Sequence, residues 1–131
     1  MIFEGTVSDL LANGLAVRFR ARGHSMHPTI RCGETMHVEP VALCELAPGD
    51  VVLARQPRGL TAHRIVRIEG DRIITRGDNC SDDDPDVAGG DVLGRVRLVG
   101  GRRWVRRALT NFSRRGRRLY ATARVLWQMV F

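Results

Sequence analysis

Ser25 stands in Gly23-His24-Ser25-Met26-His27-Pro28, the stretch of this chain whose residue types best suit covalent chemistry. A serine hydroxyl becomes a nucleophile at neutral pH only beside a base, and the tetrahedral intermediate it forms needs donors for its oxyanion. Gly23 allows a substrate backbone to approach closely, and the Ser25 backbone N–H is a possible donor to a substrate carbonyl. The same stretch also describes a turn serine with no chemistry, so the residues alone leave both readings open. One exclusion is firm. All 21 Lys+Arg residues are arginine, so a Ser-Lys dyad or a lysine Schiff base is ruled out; arginine does not give up its proton.

Other clusters are weaker. His24, His27, Cys32 and His37 match no common zinc module, and Asp82 to Asp86 lack the glycine and glutamate placement of a calcium loop. Neither a metal nor a cofactor is expected. Cys32, Cys44 and Cys80 are odd in number, widely spaced and without C-x-x-C. They read as free, partly buried thiols.

A mainly β body must position these groups. Thr6 to Asn13 predicts a short helix, with Thr6 or Ser8 as cap, Leu10, Leu11 and Ala12 as apolar face, and Gly14 at C′. Leu15 to Arg22 alternates strictly, with Leu15, Val17, Phe19 and Ala21 on one side and arginines on the other, which predicts a strand with one wet face. Further strands are predicted over 34–38, 51–55, 60–69, 72–76 and 92–99. Pro48-Gly49-Asp50, Pro57-Arg58-Gly59, Glu69-Gly70-Asp71 and an acidic loop from Gly77 to Gly90 separate them. Glu69-Gly70-Asp71 predicts a hairpin turn. The expected architecture is a curled sheet or partial barrel over residues 1–100. Residues 101–131 are expected to form a separate tail, a basic amphipathic helix with Trp104, Leu109, Phe112 and Trp127 on its apolar stripe.

Charge follows the same division. Fourteen acidic residues and ten arginines give residues 1–91 a formal −4, whereas Val92 onward carries eleven arginines and no acid, +11. The tail's arginines and apolar stripe predict peripheral contact of residues 102–131 with an anionic membrane in preference to nucleic acid, for which no recognition module is evident. Met1-Ile2-Phe3-Glu4 lacks the basic start of a secretory signal peptide, and Leu10 to Val17 is too short to span a bilayer. The expected location is the cytoplasm or the inner membrane face.

Gly23-x-Ser25-Met26-x-Pro28-Thr29-Ile30, followed by Arg31-Cys32-Gly33-Glu34, resembles the serine box of the type I signal peptidases. Pro48-Gly49-Asp50-Val51-Val52 is similar to their next segment, and Ala62-His63-Arg64-Ile65-Val66 to the segment that carries the base. Thr75-Arg76-Gly77-Asp78-Asn79, with Asp82, Asp83 and Asp84 after it, resembles the acidic box, and Gly94-Arg95-Val96 the closing strand. Five boxes in order span roughly residues 20 to 98. Within that family His63-Arg64-Ile65 is similar to the branch that uses histidine as base, as in the endoplasmic-reticulum and archaeal enzymes, and the lack of lysine agrees.

The resemblance implies a serine endopeptidase that cuts an extended peptide after a small residue. Ser25 would be the nucleophile and His63 its general base, with Asp84, or alternatively Asp78, orienting the histidine. Gly23, Met26, Pro28 and Ile30 would meet the substrate, Met26 and Ile30 as candidate linings of small-residue pockets or as ordinary core. Departures from the family are glycine at position 23 in place of a serine hydroxyl, His24 beside the nucleophile, and no N-terminal membrane anchor before the serine box. The fold is also similar to that of the SOS-repressor autoproteases, which need no anchor. The rival reading is a non-catalytic relative that binds peptides or a membrane-bound partner with the same β body; self-cleavage is a third.

Overall fold

The computed structural model describes residues 2–97, with side chains from Gly5 onward. The expected helix over 101–131, and with it the expected membrane contact of residues 102–131, lies outside the described residues. Helix α1 (Ile2–Ala12) is followed by seven strands: β1 (Val17–Arg20), β2 (Thr35–Glu39), β3 (Val51–Gln56), β4 (Gly59–Glu69), β5 (Arg72–Arg76), β6 (Val87–Ala88) and β7 (Val92–Arg97). They form one curled sheet in the order β1-β2-β7-β3-β4-β5-β6, antiparallel at every pairing. The mainly β expectation holds.

Two local differences have clear causes. The helix begins at Ile2 rather than Thr6, so neither Thr6 nor Ser8 caps it. Its end is as expected. Gly14, at φ 81, donates to the Leu11 carbonyl and Leu15 N–H reaches back to Leu10, the paired bonds of a Schellman stop. The second difference is β6, two residues of strand inside the expected acidic loop. Val87 pairs with Ile73 and is buried, while Arg72 bonds Asp86 beside it, so the loop is drawn onto the β5 edge. Between β4 and β5, Gly70 has φ 62 and Asp71 has no positive φ, the pattern of a type II′ hairpin.

Strand β3 does not alternate, and packing explains it. Val51 and Leu53 face the main core with Val7 and Leu11 of α1, Phe19, Met36, Val38 and Leu60, while Val52 and Ala54 face a second cluster with Leu46, Ile65, Ile73 and Val87. A strand covered on both sides reads as a continuous apolar run. Such a central strand is a rigid base for its partner β4, which carries the histidine of the site. The three cysteines are free and exposed, not partly buried.

Candidate active site

Val52 of β3 pairs with His63 of β4, which fixes the histidine's height in the sheet. His63 is 6% exposed, and consecutive strand residues point to opposite faces, so His63 and Arg64 diverge from one short stretch. Each finds a carboxylate from the loop after β5. His63 Nδ1 lies 2.5 Å from Asp84 Oδ2, and Arg64 donates to both carboxylate oxygens of Asp78 at 2.8 Å.

Ser25 reaches the same histidine from the loop after β1, with its Oγ 3.0 Å from His63 Nε2. Its backbone is clamped. The Ser25 carbonyl accepts the Asn79 N–H at 2.7 Å, and Asn79 Nδ2 donates to the His24 carbonyl at 3.1 Å. The His24–Ser25 peptide is trans, so the Ser25 N–H points the opposite way from the His24 carbonyl, away from Asn79. It is thereby aimed off the 77–80 loop.

Ser25, His63 and Asp84 therefore form one chain of hydrogen bonds, hydroxyl to imidazole to carboxylate. When Nδ1 carries the proton and donates to Asp84, Nε2 is left as acceptor for the serine O–H. That is the tautomer a general base requires. Thr75, 1% exposed, donates from Oγ1 to the same Asp84 oxygen at 2.8 Å, and the Asp84 N–H donates to the Thr75 carbonyl. Burial pushes the Asp84 carboxyl up, but the hydrogen bonds from His63 and Thr75 outweigh it and hold the group below its ordinary value. It stays an anion at neutral pH.

Residues 6–97, well over half of the chain, match the Peptidase S24-like family. The chain belongs to that family. Membership points to serine-peptidase chemistry on a fold shared with the SOS-repressor autoproteases and signal peptidases. No curated protein matches the chain significantly.

Against this S24-like frame the expected site residues separate cleanly. Ser25, His63 and Asp84 meet in one hydrogen-bond chain; Asp78 is bonded to other groups. Asp78 takes both Arg64 bonds and the Thr29 hydroxyl at 2.6 Å, and its N–H donates to the Met26 sulfur at 3.3 Å. Burial pushes its carboxyl up, yet the bonds from Arg64 and Thr29 hold it below the usual carboxylate range. It ties the serine loop to β4. Gly23 has φ 89, a conformation that side chains rarely adopt. Met26 and Ile30 are buried in the main core, which accounts for them by packing, and Pro28 is exposed.

Two residues of this S24-like site drew no separate reading from the sequence. A Cβ at Gly77 would come within 2.6 Å of the Ser25 carbonyl oxygen and 3.1 Å of His63 Nε2, so glycine there is what lets serine and histidine meet. Thr75 is the other; its position in β5 was legible, its bond to Asp84 was not. Asp83 and Asp86, within the expected acidic loop, are exposed but paired with Arg67 and Arg76, and with Arg72. A cleft of about 510 Å³ opens beside the His63–Asp84 pair, between the β3–β4 turn and the loop carrying Asn79 to Pro85. No cluster of His, Cys, Asp or Glu among the described residues is arranged to hold a metal ion, and no helix among them is long and apolar enough to cross a membrane.

Proposed function

We propose that the chain is a serine endopeptidase of the signal-peptidase type, with a histidine base, that cleaves an extended peptide after a small residue. The observation that carries this reading is the Ser25–His63–Asp84 chain of hydrogen bonds inside an S24-like domain. In the proposed reaction Ser25 Oγ attacks the scissile carbonyl as its proton passes to His63 Nε2. Asp84 stabilises the imidazolium so formed. The Ser25 N–H, aimed away from Asn79, is the proposed donor to the developing oxyanion. His63 then gives its proton to the leaving amine, and water repeats the sequence on the acyl-enzyme.

The test is cleavage of a peptide bearing an Ala-x-Ala site by wild type, Ser25→Ala and His63→Ala. Wild type is expected to cut, and each variant to lose about 10³-fold or more in kcat. Fragments of the protein itself that vanish with Ser25→Ala would mark self-cleavage by the same groups. Cleavage by Ser25→Ala at the wild-type rate would remove the assignment. Binding of the peptide without cleavage by wild type would favour the non-catalytic reading.

A further inference from the structure

Gln56 closes β3 with an amide that the fold does not use. Among the described residues it is the side chain whose buried polar atoms, Nε2 and Oε1, have no hydrogen-bond partner. A shielded amide without a partner destabilises a fold, and native proteins leave few of them. An apolar side chain of the same size would fill this space without that penalty, so packing does not account for glutamine here.

Its position in the hairpin links it to the site. Val52 pairs with His63, Ala54 with Thr61 and Gln56 with Gly59. Paired residues and alternate residues of a strand share a face, so Gln56, Thr61 and His63 lie on one face of β3 and β4. All three line the cleft of about 510 Å³ that opens beside His63 and Asp84. Gln56 stands four residues along β3 from the level of His63, roughly 13 Å at the rise of a strand. An extended peptide laid along the cleft from the reacting bond covers that distance in roughly four residues.

The chemistry of the side chain selects its partner. A carboxamide offers N–H donors and a carbonyl acceptor side by side. A phosphate or carboxylate would leave Oε1 unanswered, and an ammonium group would leave Nε2 unanswered. Another amide answers both. We propose that Gln56 is a specificity-determining residue that holds an amide of the substrate roughly four residues from the scissile bond. The proposal rests on the peptidase reading of the site and extends it along the cleft. On binding, the carboxamide turns about its side-chain torsions into the cleft, Nε2 donates to the substrate C=O, and Oε1 accepts the substrate N–H. The amide belongs either to the peptide backbone or to an asparagine or glutamine side chain.

Peptide affinity tests this, measured on Ser25→Ala so that the peptide stays intact, with and without Gln56→Met. One peptide carries an Ala-x-Ala site between runs of alanine and serine long enough to pass the cleft; a second adds asparagine four residues from the site on each side. A third stops two residues from the scissile bond. Gln56→Met is expected to weaken binding of a long peptide about tenfold, to leave the short one unaffected, and not to lower the melting temperature. Loss with the first peptide places the contact on the backbone, and loss with the second alone places it on a side-chain carboxamide. Equal affinity with and without Gln56→Met for both long peptides would overturn the proposal, as would failure to bind either. So would an equal loss with the short peptide, which would put the effect at the serine. A lower melting temperature for Gln56→Met would show that the amide serves the fold, and would also overturn it. Cleavage by wild type decides the peptidase reading separately: a chain that binds through Gln56 and does not cut loses that reading alone.

Discussion

The Asp84 and Ser25 hydrogen bonds to the two ring nitrogens of His63 come from distant parts of the chain. Gly77 lies on the serine side of the ring, where an added methyl would overlap the Ser25 carbonyl and Cys80 Sγ and press on Nε2. The neighbour on one side is backbone, itself fixed by the Asn79 N–H, so relief must come from moving the serine loop or the ring. Small misplacements of reacting groups are costly in rate because the barrier depends on near-attack geometry. Gly77→Ala is therefore expected to keep its fold, as judged by circular dichroism, and to lose about 10²-fold in kcat with little change in KM. An alanine variant as fast as wild type would show that the serine–histidine contact tolerates the shift.

The loop after β5 supplies two aspartates with different partners, and the element's geometry separates their effects. Asp84 is bonded to the imidazole and to Thr75, whereas Asp78 joins Arg64 of β4 to Thr29 of the serine loop. Asp84→Asn should cost some stability, since its carboxylate also titrates below the ordinary value, but its main effect should be to lower kcat by about 10³–10⁴, because an amide there favours the wrong imidazole tautomer. Asp78→Asn should instead cost about 1.5–3 kcal/mol of unfolding free energy, the range for hydrogen bonds to a charged group that is partly buried. Its kcat should fall far less. Denaturant midpoints and single-turnover rates for the two variants check the contrast, and exchanged phenotypes would reverse the two roles.

Over the whole domain, the shifted groups give stability a pH dependence in two windows. Asp78 and Asp84 titrate below their ordinary values in the folded state. The unfolded chain therefore takes up protons first, and the stability these groups contribute, complete above about pH 5, is lost as pH falls through about 4 and lower. His37 is also lowered, by burial and by the neighbouring Arg18 and Arg97, so the folded state resists its protonation. That contribution is complete above the unfolded histidine value and declines as pH falls below about 6.5. Melting temperatures measured from pH 8 to pH 3 should decline in both windows. His37→Gln should flatten the upper one and Asp78→Asn reduce the lower one.

The period-two pattern of β1, the Gly14 stop of α1 and the Gly70 hairpin were legible because each is decided within a few residues, by burial of one face or by one special φ. Ordered boxes around Ser25, His63 and Asp84 were also legible, since residue type and order carry them. The sequence could not choose between Asp84 and Asp78, six residues apart in one loop, because adjacent residues of β4 face opposite sides of a sheet. Only pairing decides which carboxylate meets His63 and which meets Arg64. Nor did it reveal that Gly77 makes room for two groups 38 residues apart. Sequence by itself determined the local elements and the chemical inventory. Tertiary structure decided the partnerships, because strand register and close approach are set by burial of the whole core and not by any one segment.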